Sequence, residues 1–348
     1  MATAALGSDV RIPVDDSARR HGRAGVARRA DGGDGGVIAA IALSPSLDVT
    51  YVVERLHGIQ RPLEVVRVAG GKSLNAARVA VMLGADRVAA SAVLAGGAGT
   101  DIAAHARAQG LHLRIIDGHV PTRTCVSVFD RSSRELTEIY EHAVALDDIE
   151  VEHALDAAVE AMGSKRGLYL LSGGLSEDHA RRAVRRVRAA GGSIALDTHG
   201  TALSGGIEEG PDLVKVNRAE AVALLGYAPD APPDELVSGL HDRLDSATAR
   251  AVVTDGADGA WSCDGAQVLH AQMAGPIGGF PVGSGDAFLG GLARAFDAGE
   301  SLSNALALAT GAGVANAQIP GAGLLDPSLA REIAARVEVR PYRASTRR

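Results

Sequence analysis

Five short apolar runs, separated by segments of helical period, constrain this chain more than any other feature. Residues 37–43 read Val-Ile-Ala-Ala-Ile-Ala-Leu, and similar runs recur at 168–171, 194–196, 213–216 and 251–254. A strand without polar alternation must be covered on both faces. Helical patterns lie between the runs, at 179–190, 218–225 and 233–249. Strands alternating with helices predict an α/β chain, a mostly parallel sheet with helices on both sides. Ligands of such sheets bind beyond the carboxyl ends of the strands. Here those ends run into Ser172-Gly173-Gly174, Asp197-Thr198-His199-Gly200, Asn217-Arg218-Ala219-Glu220 and Thr254-Asp255-Gly256. These segments are expected to converge on one edge of the sheet.

At 348 residues the chain is long enough for a sizeable core, in one large domain or two small ones. A net charge of −7 gives no electrostatic footprint for nucleic acid or an anionic membrane. Cys125 and Cys263 are the only cysteines, without metal spacing or a disulfide framework, which fits a reducing, cytoplasmic setting. No apolar run is long enough to span a bilayer. Residues 1–36 are rich in Arg, Gly and Asp and lack a hydrophobic period, so they read as a disordered extension. Residues 341–348 read as a disordered tail.

Two stretches break the rhythm, at 49–68 and 113–145. The second contains Val126-Ser127-Val128-Phe129-Asp130, a turn at Arg131-Ser132-Ser133, and a return through Leu136-Thr137-Glu138-Ile139-Tyr140. This alternation predicts strands outside the main sheet. A small β lid over the ligand edge would exclude water, and it could also serve as a homodimer contact.

Gly283-Ser284-Gly285-Asp286 carries the most distinctive chemistry. Phe288, Leu289, Leu292, Ala293 and Phe296 follow on one helical face. The pattern predicts a glycine turn at a helix N-terminus, where free N–H groups and the positive dipole end form an anion site. A carboxylate there is unfavourable unless it has a task, such as taking a proton from a hydroxyl that attacks phosphorus. A tight turn with Asp286 as an N-terminal cap accounts for the same residues.

Three further clusters carry chemistry. Asp48 follows Ser44-Pro45-Ser46-Leu47 at the end of the first run, placed to accept bonds from sugar hydroxyls or to stabilise a turn. Gly70-Gly71-Lys72-Ser73-Leu74-Asn75 precedes a helix that stops at Gly84. Paired glycines let the backbone approach a ligand, with Lys72 and Asn75 projecting toward it. The chain has only three lysines, Lys72, Lys165 and Lys215, which singles out Lys72. Asn217 and Glu220 share a helical face. They suit a magnesium ion that keeps most of its water, and a capping box explains the same spacing. His199 and Cys263 are assigned structural roles.

Together these residues resemble the ribokinase-like, or PfkB, family of carbohydrate kinases, from about residue 37 to residue 338. The family's Gly-Ala-Gly-Asp signature is similar to Gly283-Ser284-Gly285-Asp286. Its Gly-Gly-Lys-Gly-x-Asn-x-Ala-Arg motif is similar to the run from Gly70 to Arg78. Its Asn-x-x-Glu motif matches Asn217 to Glu220, preceded by Lys215-Val216 where relatives usually have Lys-Pro. The nucleotide loop resembles the run from Thr254 to Gly259. Within the family the chain most resembles the hexose-phosphate branch that includes 1-phosphofructokinase, tagatose-6-phosphate kinase and the minor 6-phosphofructokinase. Pro45-Ser46-Leu47-Asp48, Thr122-Arg123, Leu196-Asp197-Thr198 and Pro320-Gly321-Ala322-Gly323 carry that likeness. Ser44, Ser73, Ser176 and Phe280-Pro281 depart from it, near sugar and nucleotide rather than at the implied base.

The resemblance implies a ribokinase-like three-layer α/β/α domain over residues 37–340, and ATP-dependent phosphoryl transfer to a sugar hydroxyl. Fructose 1-phosphate is the first acceptor expected. Asp286 is the implied base, with backbone N–H groups of Gly283, Ser284 and Gly285 stabilising the phosphoryl charge. Asp48, Gly70, Gly71, Lys72 and Asn75 are implied to hold the sugar, and Arg123 its existing phosphate. ATP and Mg2+ are the implied cofactors. Lys215, Asn217, Glu220, Thr254, Gly256, Gly259 and Asn316 fall on that side, Asn217 and Glu220 reaching the metal through water. The helix through Ala309, Gly311, Ala312 and Gly313 is implied to wall the adenine pocket. Tagatose 6-phosphate, fructose 6-phosphate, an unphosphorylated sugar or nucleoside, and a binding regulator without turnover stay open as alternatives.

Overall fold

The structure is a computed structural model that describes residues 37–143, 145–163, 167–246, 248–273 and 278–342. The expected extension over 1–36 and the tail beyond residue 342 lie outside the described residues. Seven parallel strands, numbered along the chain, build most of the main sheet. They are β1 (Val37–Ala42), β4 (Val88–Leu94), β5 (His112–Asp117), β8 (Gly167–Ser172), β9 (Ser193–Asp197), β10 (Leu213–Asn217) and β11 (Arg250–Thr254). Three antiparallel strands extend one side: β12 (Ala260–Cys263), β13 (Val268–Gln272) and β14 (Glu338–Pro341). The order is β14-β13-β12-β11-β10-β9-β8-β1-β4-β5.

The apolar run of β1 is buried along its whole length. Val37, Ala39 and Ile41 pack into one core and Ile38, Ala40 and Ala42 into the other. The first core is completed by α3 (Asp148–Met162), α4 (Glu177–Ala189), α5 (Gly200–Glu208), α6 (Arg218–Leu225) and α7 (Pro233–His241). The second is completed by α1 (Lys72–Met82), α2 (Gly96–Ala108), α8 (Ser284–Asp297) and α9 (Leu302–Asn316), with α10 (Pro327–Ala334) against α9. The result is the three-layer α/β/α arrangement expected from the alternation. From β1 the sheet grows in opposite directions, to β4 and β5 on one side and to β8 and the later strands on the other. That switch point opens a crevice at the carboxyl ends.

A second sheet, the lid, has the order β3-β2-β6-β7, formed by β2 (Ser46–Val53), β3 (Glu64–Gly70), β6 (Thr124–Asp130) and β7 (Glu135–Tyr140). Strand β2 leaves β1 after three residues, so the lid is rooted in the crevice. The β6–β7 hairpin turns where the Asp130 side chain accepts from the N–H groups of Ser132 and Ser133.

Several expected boundaries are corrected. Strand β5, read as part of the lid over 113–145, pairs in parallel with β4 at the sheet edge. Its largely exposed surface suits a lid strand and an edge strand alike, and only its partner separates the two cases. The helix expected over 233–249 stops at His241. Pro341, assigned to the tail, ends a strand paired with β13. Among the described residues no helix is long and apolar enough to cross a membrane.

Candidate active site

Helix α8 starts on Gly283, whose φ of +80° lies in the left-handed region. A β-carbon at Gly283 would stand 2.4 Å from the Gly323 nitrogen, so glycine is required by both backbone and space. The N–H groups of Gly283, Gly285 and Asp286 have no partner among the described residues, whereas Ser284 donates to the Pro281 carbonyl at 3.1 Å. The expected donor set is thereby corrected: Ser284 is spent on the turn, and Asp286 supplies a first-turn N–H in its place.

Asp286 is not the cap of α8. It is the third residue of the helix, only 8% exposed, and its Oδ2 accepts from Asn75 Nδ2 at 2.9 Å. Burial pushes its carboxyl up to about 6, with the negative charge of Asp197 adding to the rise and Lys72, Asn75 and Lys215 opposing it. Asn75 is itself oriented from behind. Arg78 Nη2 donates to Asn75 Oδ1 at 2.6 Å, and because a guanidinium only donates, the Asn75 amide must face Asp286. Arg78 has no exposed surface and also donates to the carbonyls of Ala69, Ala322 and Gly323, clamping the end of β3 to the late glycine turn. Burial lowers its pKa to about 10.

Lys72 opens α1, where Gly71 has φ +94° and a β-carbon would meet Pro45 at 2.8 Å. Rather than standing free toward a sugar, its Nζ lies 3.1 Å from Asp197 Oδ1, and Lys215 Nζ lies 2.8 Å from Oδ2. Asp197 ends β9 and has no exposed surface. Burial alone would raise its carboxyl, but Lys215 and Lys72 hold it below the ordinary aspartate value. Asp197 raises the Lys72 ammonium pKa in turn. Sequence reading passed over Asp197 and Arg78 as site residues. The signal was a charged residue closing an apolar run in one case and a signature motif in the other.

Asp48 lies on β2 and accepts from Ser46 Oγ at 2.6 Å; burial raises its pKa. A β-carbon on Gly70 would fall 2.1 Å from the Asp48 carboxyl carbon, so Gly70 makes room for that side chain rather than lining the cleft itself. Arg123, just before β6, reaches Ser44 Oγ at 3.3 Å and the Glu141 carbonyl at 3.4 Å, while its Nε is buried without a partner. Glu138 and Tyr140 of β7 line the same end.

Thr254, Gly256 and Gly259 line the opposite end, together with Thr310, Gly313 and Val314 of α9. Gly311 faces away, its β-carbon position 2.4 Å from the Ala330 carbonyl of α10. Asn316 is a correction. It has no exposed surface, and its amide donates to Val282 O at 2.8 Å and Ser284 Oγ at 3.2 Å, so it braces the anion turn instead of touching a nucleotide. Asn217 and Glu220 form a reciprocal capping box on α6. The box uses one oxygen of each, and Glu220 Oε1 has no partner among the described residues. That oxygen fits a bond to metal-held water and leaves no set for direct ligation. His199 stands exposed at the cleft wall rather than within the structure, while Cys263 is buried in the core.

One cleft of about 820 Å³ joins these groups, lined by Asp48, Lys72, Asn75, Arg123, Lys215 and Asp286 among others. Its floor is the row of strand ends at the switch point. Away from the cleft, a His-Asp-Glu group, His119 with Asp147 and Glu150, is explained by the capping box that starts α3.

A fold of this kind with a glycine anion turn, a buried carboxylate and a β lid defines a class of phosphate-handling α/β enzymes. The chain belongs to the pfkB family of carbohydrate kinases, whose family model matches residues 40–329. Among solved structures it is similar to phosphofructokinase-2 from Escherichia coli in complex with fructose-6-phosphate (22% identity, TM-score 0.76, covering 86% of this chain and 98% of that one). It is also similar to a Thermotoga maritima protein described as a possible 1-phosphofructokinase (17% identity, TM-score 0.74, covering 88% and 100%). At these identities the likeness concerns the fold alone.

Proposed function

We propose that this protein transfers the γ-phosphoryl group of ATP to a hydroxyl of a sugar phosphate, with fructose 1-phosphate as the first acceptor. The observation that carries the reading is Asp286: a buried carboxylate with a raised pKa, beside unpartnered helix N–H groups, in one cleft with Lys72, Asn75, Asp48 and Arg123. Asp286 takes the proton of the attacking hydroxyl. The N–H groups of Gly283, Gly285 and Asp286 meet the charge that develops on the transferring phosphoryl. Asp48 and Asn75 orient the acceptor, and Arg123 clamps its phosphate. Thr254, Gly256, Gly259 and the Gly313 face of α9 hold the nucleotide. Magnesium, when bound with the nucleotide, would neutralise phosphate charge, its water held by Glu220.

One observation favours a second reading. The carboxylates of Asp48 and Glu138 line the same end as Arg123, and a phosphate there would face both. An unphosphorylated sugar would suit that end instead. ADP release measured with fructose 1-phosphate, tagatose 6-phosphate, fructose 6-phosphate, fructose, ribose and adenosine separates the two. Preference for a phosphorylated ketose is expected; turnover confined to ribose or adenosine would exclude it.

The lid supports a homodimer. Leu56, Ile59, Leu63 and Ile139 project apolar surface from it, Ile59 fully exposed. Light scattering is expected to give twice the chain mass, and Ile139→Glu to give a monomer.

A further inference from the structure

We propose that Asp197 is a positioning residue: its carboxylate yokes Lys72 and Lys215 so that both ammonium groups stand at the anion turn and grip the terminal phosphate of the nucleotide. The inference rests on the kinase reading above and extends it to a residue outside the acceptor and nucleotide contacts.

One lysine is enough to neutralise the charge of one carboxylate. Here each oxygen of a fully buried carboxylate takes a different one, at 3.1 and 2.8 Å. The lysines come from unrelated elements, Lys72 from the first residue of α1 and Lys215 from the middle of β10. Each has a four-carbon stem whose rotamers must be restrained before its charge has a fixed place. Asp197 supplies that restraint for both. The position of Lys215 adds an independent observation: its Nζ lies 3.1 Å from where a β-carbon of Gly285 would stand. The ammonium is therefore pressed against the backbone of the anion turn, and glycine at 285 leaves it room. Lys72 keeps 37% of its side chain exposed, and both lysines line the cleft.

Charge balance agrees with this role. Asp197 and Asp286 offset Lys72 and Lys215, so the four groups are neutral until a phosphate arrives. Asp286 is faced by Lys72 and Asn75 of α1, Asp197 of β9 and Lys215 of β10, with Arg78 behind Asn75. Without Asp197 the two lysines would act on Asp286 unopposed and weaken it as a base.

Asp197→Glu keeps the charge but moves the carboxylate by one methylene, a displacement on the scale of 1 Å that can cost up to about a hundredfold when reacting groups are misplaced. Calorimetry with magnesium compares a non-hydrolysable ATP analogue, which carries the third phosphate, with ADP, which lacks it. Asp197→Glu is expected to weaken the analogue about tenfold and lower kcat similarly, with ADP affinity within about twofold. Asp197→Asn is expected in addition to move the acid limb of kcat/KM to lower pH. Unchanged analogue affinity in Asp197→Glu, or equal losses for analogue and ADP, overturns the inference. Should Asp197→Asn fail to fold, Asp197→Glu alone carries the comparison. If the wild type phosphorylates no acceptor, the kinase reading falls, while the calorimetric comparison still decides the role of Asp197.

Discussion

Asp286 joins two opposed demands, since the burial that makes it a better base also makes its charge costly. Its pKa near 6 predicts that kcat/KM rises with pH on the acid side through about pH 6, whereas an ordinary aspartate would place that limb near pH 4. The stability effect has the other sign. A folded pKa above the unfolded 3.8 means the folded state binds more protons between 3.8 and about 6. The contribution of this group therefore falls as pH rises through that window, by at most about 3 kcal/mol. Asp286→Asn should lower turnover by roughly a hundredfold to ten-thousandfold, yet melt at or above the wild-type temperature at pH 8. Near-normal turnover would place the base elsewhere, and preserved ligand binding without any wild-type turnover would favour a regulator. Arg78 differs, being structural first. Arg78→Met leaves Asn75 Oδ1 and three carbonyls without a donor, and denaturant unfolding should show a loss of about 3–5 kcal/mol.

At the scale of elements, the lid and the anion turn touch through one aromatic pair. Phe129 of β6 and Phe280, three residues before Gly283, have ring centroids 4.5 Å apart. Such a pair contributes roughly 0.5–1.5 kcal/mol beyond its buried area. It connects the position of the lid to the loop that Asn316 braces. Phe129→Ala is expected to raise the acceptor KM several-fold, with little change in melting temperature, because the core strands do not depend on it. A loss of global stability with unchanged KM would show the pair to be mere packing. The lid hairpin itself was legible, since Val126, Val128 and the Arg131-Ser132-Ser133 turn state strand, alternation and reversal directly. Strand β5 was not, because a short, largely exposed strand suits the lid and the sheet edge equally well. The run Val88 to Leu94, apolar except for Ser91, carries the composition of a buried strand.

For the whole molecule, two helical layers sandwich a sheet whose first strand begins at Val37, and the family match begins at residue 40. A chain cut to residues 37–348 is expected to keep the wild-type melting temperature and turnover, and a lower value for either would assign the extension a part in the domain. Apolar periodicity determined the layered α/β class, because burial on both faces leaves a strand no other composition. The glycine turns and the residue types near them pointed to phosphate chemistry, since close backbone approach and free N–H groups depend on local chain geometry alone. Tertiary structure decided which side chains spend their bonds on each other. Asn316 turned inward to the anion turn, and Lys72 met Lys215 across Asp197. Those outcomes depend on distances between segments more than a hundred residues apart in places, and such distances have no signature along the chain.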